Sequence, residues 1–432
     1  MDLDALLRAT APAFAYENGR LVAAGVDLAD IADQAGGPVY VYALDAIVGA
    51  YREFRDAFAG QPTRICYAMK ANDSIAVLKA LGREGAGVDV VSGGELALAL
   101  AAGVPANRIV FSGVGKTDAE LAQAIEAGVM QLNIETAAEL ERLARIAAAK
   151  GKTAPVAIRV NPDVDAGTLD QISTGRAQDK FGIAYEAAEA LYRRGAELPG
   201  VELVGIAMHI GSQIGDVAHL AKACARLRAM WERLATAGIL LRRFDIGGGL
   251  GIRYRNETPA SVAAYAETVK AAVRGLDAEV VLEPGRRIVG AAGVLVASVV
   301  AIKETADRRF VILDAAMNDL IRPALYKAWH EIVPLQKPFE PPGGSDWAPA
   351  DVVGPICEST DKFAEARLLP PLQAGDKVAF LCAGAYGAVL SSEYNSRPRA
   401  PEAVVQNGQW SFSRRPRRHS DLIAEQHLPA WL

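Results

Sequence analysis

Between residues 60 and 290, short runs of apolar residues alternate with longer amphipathic stretches, and the alternation repeats eight times. The apolar runs have the length of buried strands, and the stretches between them are rich in Ala, Leu and Glu and have the length of helices. Repeated strand–helix units of this kind predict a parallel (β/α)8 TIM barrel. The predicted strands are Ile65–Met69, Val88–Val91, Ile109–Ser112, Met130–Ile134, Val156–Val160, Val204–Ile210, Phe244–Ile246 and Val280–Leu282.

The pattern changes after the last of these units. Runs of β-branched residues such as Val294–Ile302 are broken there by Pro and Gly, and amphipathic stretches of helical length become scarce. We therefore expect a barrel domain over residues 36–290 and a second, mainly antiparallel β domain over residues 291–432, joined by residues 1–35. A strand at Val39–Tyr42 and the helix that follows it are predicted to lead into the barrel.

Composition narrows the class of protein. The chain has 432 residues, of which 51% are hydrophobic and 22% charged, as in an ordinary globular protein. A net charge of -5 argues against a nucleic-acid partner, and the one basic cluster, residues 414–418, is predicted to be a solvated tail. The apolar stretch Gly290–Ile302 is too short to span a bilayer, and the N-terminus lacks the features of a signal peptide. We expect a cytoplasmic protein without membrane association.

Cysteine and histidine spacing excludes two other classes of site. The 4 cysteines are widely separated and form no C-x-x-C motif, and none of the 5 histidines is paired at the spacing of metal ligands. This pattern supports neither a disulfide framework nor a zinc site. We therefore expect no bound metal.

Chemically distinctive residues follow several of the predicted strands. Lys70 ends the first apolar run, His209 ends the sixth, the glycines 247–249 follow the seventh, and Glu283 and Arg286 follow the eighth. Barrel enzymes carry their active sites at these C-terminal strand ends, often with a phosphate site after strands 7 and 8. An amine, an imidazole, a glycine-rich cradle, a carboxylate and a guanidinium at one end of a barrel fit pyridoxal phosphate chemistry.

Each group has a physical reason to serve that cofactor. Desolvation of Lys70 at an apolar strand end favours its neutral amine, which condenses with an aldehyde as a Schiff base. Glycines allow backbone N–H groups to approach a phosphate closely. A carboxylate at Glu283 would keep a pyridine nitrogen protonated and strengthen the ring as an electron sink, and the imidazole of His209 would lie on the ring face. Taken singly, each residue would more often be structural, so the prediction depends on their occurrence together.

Longer motifs carry a resemblance to a known family. They are Tyr67-Ala68-Met69-Lys70-Ala71-Asn72, Val88-Asp89-Val90-Val91-Ser92-Gly93-Gly94-Glu95, His209-Ile210-Gly211-Ser212-Gln213, Glu283-Pro284-Gly285-Arg286, Cys357-Glu358-Ser359-Thr360-Asp361 and Glu393-Tyr394-Asn395-Ser396-Arg397-Pro398. Over nearly its whole length the chain closely resembles the diaminopimelate decarboxylases, of the alanine-racemase-like class of pyridoxal phosphate enzymes.

The resemblance implies roles for individual residues. Lys70 would form the covalent link to pyridoxal 5'-phosphate, His209 would stack on its ring, and Glu283 would bond its pyridine nitrogen. Cys357 would be the catalytic proton donor. The other implied cofactor contacts are Asp89, Ser212, Gly247, Gly248, Gly249, Gly285, Arg286 and Tyr386. The implied substrate contacts are Arg286, Arg322, Tyr326, Glu358 and Tyr386.

The implied reaction is decarboxylation of meso-2,6-diaminopimelate to L-lysine and carbon dioxide, the last step of bacterial-type lysine biosynthesis. The distal end of this substrate carries a carboxylate, which suits an arginine, and an ammonium, which suits Glu358. The resemblance also implies a homodimer in which the segment around Cys357 and Glu358 reaches into the neighbouring barrel, opposite Lys70.

Other functions remain open from the residues alone. An ornithine, arginine or carboxynorspermidine decarboxylase would use the same scaffold, although ornithine has no distal carboxylate for Arg286 and Arg322. A racemase and a catalytically dead cofactor-binding homologue are further alternatives. One segment departs from the family, because Leu169 stands where relatives often carry His. Without the motifs, Arg322 would be a surface residue and Cys357 a small buried hydrophobe.

Overall fold

The structure, a computed structural model, describes residues 2–164, 180–338 and 346–432. The loop around Leu169, in which the sequence departs from the family, lies outside these residues. No described helix has both the length and the apolar character needed to cross a membrane.

Contacts divide the chain into two compact units. The first, which we call the barrel unit, comprises Val48–Ile252 and Thr258–Ile288. The second, which we call the β-rich unit, comprises Met1–Ile47, Arg253–Glu257 and Val289–Leu432.

The barrel unit contains a closed barrel of eight parallel strands, as the alternating pattern predicts. Each strand pairs with the next along the chain, and the last pairs with the first through registers such as Val280 with Thr63. In chain order, barrel strands 1 to 8 are Thr63–Ala68, Gly87–Val90, Ile109–Phe111, Gln131–Ile134, Ala154–Asn161, Val201–Ala207, Arg243–Asp245 and Glu279–Leu282.

Helices connect these strands and cover the barrel. The helix Asp118–Ala127 has clear end signals, because Thr117 and Glu120 form a capping box at its start and Gly128 ends it with a φ of 73°. The other helices of this unit's connections are Leu44–Ala57, Ile75–Arg83, Gly93–Ala101, Ala137–Ala149, Tyr185–Glu197, Val217–Thr236, Val262–Val273 and Arg286–Val289, and a two-residue strand, Ile183–Ala184, pairs beside strand 5.

The barrel buries both a cluster of apolar residues and a set of polar residues. Cys66, Val110, Met130 and Val281 form one buried apolar cluster. Polar side chains are also buried in these strands, including Asp89, Gln131, Asn133 and Asp245. Because buried polar groups need hydrogen-bond partners, this polar set calls for a specific network, described below.

The β-rich unit is built around a mainly antiparallel sheet. Its central strand, Gly293–Glu304, pairs antiparallel with three others. Along the sheet the strands run in the order Lys362–Leu369, Ala348–Val353, Arg309–Leu313, Gly293–Glu304, Val39–Ala43, Glu402–Gln406 and Gln409–Arg414, with Lys377–Phe380 and Ile332–Pro334 branching from the central strand. Remaining elements are a small sheet of Phe14–Glu17, Arg20–Ala23 and Val26–Asp27, and the helices Leu3–Thr10, Leu28–Ala35, Arg322–Tyr326 and His419–Ala424.

One strand that precedes the barrel belongs to the other sheet. Val39–Ala43 is followed by the helix Leu44–Ala57, which leads to barrel strand 1 as predicted, but the strand itself pairs antiparallel with Gly293–Glu304 and parallel with Glu402–Gln406. Its five residues are all buried, so it is a central strand of the β-rich unit. Local sequence identifies the strand, but its partners lie more than two hundred residues away along the chain.

The basic cluster near the C-terminus, residues 414–418, is largely exposed as predicted, but two of its arginines form ion pairs. Arg414 ends the strand Gln409–Arg414 and forms an ion pair with Glu402, a carboxylate with 1% of its side chain exposed. Arg417 pairs with both Glu393 and Glu425. Arg414 thereby compensates the charge of a buried carboxylate, Glu402.

Candidate active site

The barrel residues singled out in the sequence lie at or just beyond the C-terminal ends of strands. Lys70 sits in a 3-10 turn, Met69–Ala71, directly after strand 1, and Asp89 lies in strand 2. The others are His209 and Ser212 after strand 6, Gly247, Gly248 and Gly249 after strand 7, and Glu283, Gly285 and Arg286 after strand 8. The fold therefore gathers the predicted cofactor residues of this unit at one end of the barrel.

Lys70 and Asp89 form an ion pair. Nζ of Lys70 lies 2.7 Å from Oδ2 of Asp89, with 35% of the lysine side chain and none of the aspartate exposed. The sequence predicts activation of Lys70 by desolvation, but a carboxylate at this distance stabilises the ammonium instead. The other oxygen of Asp89, Oδ1, is buried and has no hydrogen-bond partner among the described residues. Asp89 thus holds the amine in place and retains one acceptor.

The glycine loop after strand 7 is tightly packed. Gly247 and Gly249 have φ values of 69° and 107°, and a Cβ on Gly248 would lie 2.1 Å from the backbone oxygen of Glu283. The amides of Gly247 and Gly248 donate to Asp245 Oδ1 at 2.9 Å and His209 Nδ1 at 3.1 Å. Two of the three amides predicted to bind phosphate therefore already have protein acceptors, and their glycines position neighbouring groups. Within the described ranges the amide of Gly249 has no protein acceptor, so this amide is left for a ligand.

Two carboxyls share the buried space under this loop. Oε1 of Glu283 accepts a hydrogen bond from Asn133 Nδ2 at 3.3 Å, and Oδ2 of Asp245 accepts one from Gln131 Nε2 at 2.9 Å. Burial raises the pKa of Glu283 well above its usual range, and the neighbouring charge of Asp245 adds to the shift. Burial also raises the pKa of Asp245 to about 6. Because burial disfavours the charged form, a cationic or N–H partner would be needed to keep Glu283 ionised.

His209 is neutral and held in one tautomer. Its Nδ1 accepts the hydrogen bond from Gly248, so the ring proton lies on Nε2. Burial lowers the pKa of His209 well below its usual value, and the charges of Arg159 and Lys70 lower it further. Arg159 is itself oriented by Glu135, whose Oε1 lies 2.8 Å from its Nη1. A neutral ring suits stacking on an aromatic cofactor.

Arg286 and Ser212 meet across the loops after strands 8 and 6. Nη2 of Arg286 donates to Oγ of Ser212 at 3.1 Å, and Arg286 is buried. Gly285 precedes it, and a Cβ there would lie 3.0 Å from the side chain of Ala71. A cation and a hydroxyl next to a glycine turn form a donor set suited to a phosphate.

Several residues of this network are absent from the sequence predictions. They are Gln131, Asn133, Arg159 and Asp245, all polar residues within buried strands. A polar side chain in an otherwise apolar strand is a signal that could have identified them, because such a residue points into the barrel only when partners are present. Asp245 closely precedes the triple glycine, which is a second signal.

In the β-rich unit, Arg322 is buried and held from two sides. Its Nη1 lies 2.9 Å from Nε2 of His330, and its guanidinium lies over the ring of Tyr254, 4.7 Å from the centroid. Tyr326 ends the same short helix, Arg322–Tyr326. Tyr386 adopts a left-handed backbone conformation, with a φ of 56°, before Gly387. The predicted substrate arginine is thus a structured residue and not a surface one.

Cys357 and Glu358 lie in a braced loop but are themselves exposed. The loop is held by Asp361, whose carboxylate accepts hydrogen bonds from the amides of Ile356 and Met317, both at 2.7 Å. Oε1 of Glu358 accepts a hydrogen bond from the hydroxyl of Tyr394 at 2.7 Å, and this bond is the main reason that the pKa of Glu358 is lowered. A fixed backbone therefore presents a thiol and a carboxylate at the surface of this unit.

No cluster of His, Cys, Asp and Glu suited to a metal ion occurs in the described ranges. The barrel end does fit pyridoxal phosphate. Glu283 is a buried carboxyl whose ionisation a protonated pyridine nitrogen would restore, and Asp89 keeps an unused buried acceptor. Lys70 would supply the amine, and Ser212, Gly249 and Arg286 would supply the donors for a phosphate.

Comparison with known proteins defines the class. Residues 44–290 match the family described as pyridoxal-dependent decarboxylase, pyridoxal binding domain. The chain is 48% identical over 417 residues to the diaminopimelate decarboxylase of Pseudomonas fluorescens, a match that covers 96% of this chain and 99% of that protein. It is 42% identical to the enzyme of the same name from Aquifex aeolicus, over 98% of this chain and 99% of that one. The chain belongs to the diaminopimelate decarboxylase family.

Solved structures of diaminopimelate decarboxylases have the same fold as this chain. The diaminopimelate decarboxylase of Helicobacter pylori complexed with L-lysine has a TM-score of 0.88 and 38% identity, covering 92% of this chain and 98% of that chain. The M. jannaschii diaminopimelate decarboxylase in co-complex with L-lysine has a TM-score of 0.92 and 32% identity, covering 98% and 100% of the two chains.

Proposed function

We propose that the protein decarboxylates meso-2,6-diaminopimelate to L-lysine and carbon dioxide, the last step of lysine biosynthesis, with pyridoxal phosphate bound at the open end of its barrel. The observation that carries the proposal is the barrel-end set in which Lys70 pairs with Asp89 and Glu283 is buried with a raised pKa. Relatives of this name match nearly the full chain, and two solved ones hold L-lysine, which is the product of this reaction.

Bound pyridoxal phosphate supplies an aldehyde that condenses with amines and a ring that accepts the electron pair left when carbon dioxide departs. Lys70 would hold the cofactor through its amine. Glu283 would place a negative charge where it favours a protonated ring nitrogen. The neutral imidazole of His209 would pack against the cofactor ring, and Tyr386 would contact cofactor and substrate.

The phosphate is assigned to the loops after strands 6, 7 and 8. Ser212 and Arg286, which already contact each other at 3.1 Å, would donate to it with the amides of Gly249 and Gly285. The amides of Gly247 and Gly248 already donate to Asp245 and His209, so they are not assigned to the phosphate. These two glycines contribute by allowing the loop to pack closely.

The substrate's distal end distinguishes this reaction from related ones. It carries both a carboxylate and an ammonium, and we assign the carboxylate to Arg322 with Arg286, and the ammonium to Glu358. Tyr326 would lie alongside. Within the described residues no carboxylate forms an ion pair with Arg322, so its charge remains for a ligand.

Cys357 is the assigned proton donor. After carbon dioxide leaves, its thiol would protonate Cα, and the exposure of Cys357 and Glu358 on the β-rich unit supports a role at a surface completed by another element. We infer a cytoplasmic homodimer in which the β-rich domain of one subunit completes the site of the other, so that each site contains Lys70 and the partner's Cys357.

A substrate panel tests the proposal. The purified holoenzyme is given meso-diaminopimelate, its LL and DD isomers, ornithine, arginine and lysine, and carbon dioxide release is measured. We expect meso-diaminopimelate to be preferred, and Arg322→Ala or Glu358→Ala to raise KM for it without loss of the cofactor absorbance. Preference for ornithine or arginine would place the protein with the other decarboxylases of this scaffold. Cofactor binding without release of carbon dioxide from any substrate would identify a catalytically dead homologue.

A further inference from the structure

Arg322 is fixed by one of its nitrogens only. Nη1 makes the contact with His330, the guanidinium lies over Tyr254, and 6% of the residue is exposed. No group in the described ranges hydrogen-bonds its Nε or Nη2. These two nitrogens form one edge of the guanidinium, which is an edge that binds a carboxylate through two parallel hydrogen bonds.

The contacts of His330 fix its protonation state. The residue is 2% exposed, and its Nδ1 lies 2.8 Å from the carbonyl oxygen of Leu381, which only accepts hydrogen bonds. Nδ1 therefore carries the ring proton, and Nε2 offers its lone pair to the N–H of Arg322. A proton on Nε2 would instead set two donors, and two cations, against each other at 2.9 Å. The geometry requires a neutral ring.

Neighbouring groups hold this imidazole in place. The ring of Tyr254 meets it edge-on with centroids 5.5 Å apart. Nη1 of Arg367 donates to the backbone oxygen of His330 at 2.8 Å and pairs with Glu331 at 3.4 Å. All of these residues belong to the β-rich unit, so the support of Arg322 is complete within it.

We propose that His330 is a positioning residue for substrate recognition, which orients Arg322 and leaves its Nε–Nη2 edge for the distal carboxylate of the substrate. The inference rests on the proposed function, in which Arg322 binds that carboxylate. A neutral acceptor has a specific advantage here. A carboxylate at position 330 would also hold Arg322 but would cancel its charge, whereas an imidazole fixes the guanidinium and leaves the full charge for the ligand.

Two substitutions of similar shape separate positioning from packing. His330→Asn places an amide nitrogen near the Nδ1 position and keeps only the bond to Leu381. His330→Gln places a carbonyl oxygen near the Nε2 position and keeps the acceptor for Arg322. With holoenzyme and meso-diaminopimelate we expect His330→Asn to raise KM about tenfold or more while kcat changes less than about twofold. His330→Gln should restore KM to within about threefold of the unmodified value.

A double-mutant cycle gives the decisive readout. If His330 acts through Arg322, then His330→Asn should leave KM unchanged in an Arg322→Ala background. An equal rise in both backgrounds, or no rise in the single variant, overturns the inference. If His330→Asn does not fold, as judged by its unfolding midpoint and cofactor absorbance, His330→Phe keeps the ring volume and should show the same cycle.

The two proposals fail in different ways. Turnover of meso-diaminopimelate with an unchanged KM in His330→Asn refutes the positioning role and leaves the proposed function intact. Preference of the unmodified holoenzyme for ornithine refutes the proposed function, and the positioning role with it.

Discussion

The open end of the barrel and the loop carrying Cys357 and Glu358 are assigned to one reaction but are built in opposite ways. At the barrel end the ionisable groups are buried and joined by hydrogen bonds from several strands, so that Asp89 and Asp245 have no exposed surface. In the loop the backbone is braced by Asp361 while the functional side chains are exposed.

We infer from this difference that the barrel end serves the cofactor and the loop serves the substrate. Buried, mutually bonded groups are fixed before any ligand arrives, which suits a cofactor that stays bound through many turnovers. Exposed groups on a fixed backbone stay hydrated and accessible, which suits contact with a substrate that binds and leaves in every turnover. Cofactor binding should therefore survive substitutions in the loop.

The largest expected effect is loss of turnover in Lys70→Ala. Without the amine the cofactor loses its covalent attachment, and we expect kcat to fall about a thousandfold or more, while the fold remains intact. Carbon dioxide release and circular dichroism measure the two quantities. Lys79→Ala, which removes an exposed lysine from the helix Ile75–Arg83, is the matched control and should be fully active. Near-normal release by Lys70→Ala without added amine would contradict the assignment.

Cys357→Ala tests whether the loop serves a neighbouring barrel. Loss of a proton donor should lower kcat about a hundredfold or more, with the cofactor absorbance unchanged. In a homodimer with shared sites, mixing Cys357→Ala with Lys70→Ala through a dissociated state makes about half of the dimers hybrids, each with one intact site of two. Roughly a quarter of the unmodified activity should then return. If mass measurements confirm hybrids and no activity returns, Cys357 acts within its own subunit.

Glu283→Gln tests the buried carboxyl separately from the lysine. The amide cannot hold a proton on a pyridine nitrogen through a negative charge, so kcat should fall on the order of a hundredfold, with KM little changed. An effect confined to KM would count against the electrostatic role.

The same variant predicts a change in stability with pH. Because the folded chain raises the pKa of Glu283, the folded protein binds this proton more tightly than the unfolded chain does. The carboxyl's contribution to stability is therefore present below its ordinary pKa of 4.5 and is lost as the pH rises through the raised value. In cofactor-free protein, the denaturation midpoint of Glu283→Gln should fall less between pH 4.5 and neutrality than that of the unmodified chain.

The comparison also explains what the sequence could predict. Barrel strands follow from local apolar runs, and their C-terminal ends are fixed by the fold, so the sequence alone suffices to place Lys70, His209 and Glu283 at one end of the barrel. The sequence does not reveal their partners Asn133 and Asp245, because side-chain contacts between different strands cannot be predicted from neighbouring residues in the sequence. Nothing in a run of residues shows that two of the glycine amides are already bonded.

In the β-rich unit the sequence is less informative. The strand Val39–Ala43 is recognisable, but its pairing in the β-rich sheet is not, because its partners are remote along the chain. Arg322, Cys357 and Glu358 are candidates only through the family resemblance, since no strand end or periodicity marks them. No sequence motif or strand end identifies His330 as a candidate residue, because its role depends on a contact with Arg322 that only the folded chain shows.

The smallest expected effect concerns the hydroxyl of Tyr394, which donates to Glu358. Tyr394→Phe removes the main cause of the lowered pKa of Glu358, so this pKa should move up toward its usual value of 4.5. At neutral pH the carboxylate stays ionised, and KM for diaminopimelate should rise only about twofold to threefold through lost orientation. At acidic pH the rise should be larger, because Glu358 becomes protonated earlier. Tyr185→Phe, which removes a hydroxyl bond to the backbone of Arg226 in the barrel unit, is the control and should show neither change. A pH profile of KM identical to that of the unmodified enzyme would mean that Glu358 does not bind the substrate's ammonium through the side chain that Tyr394 orients.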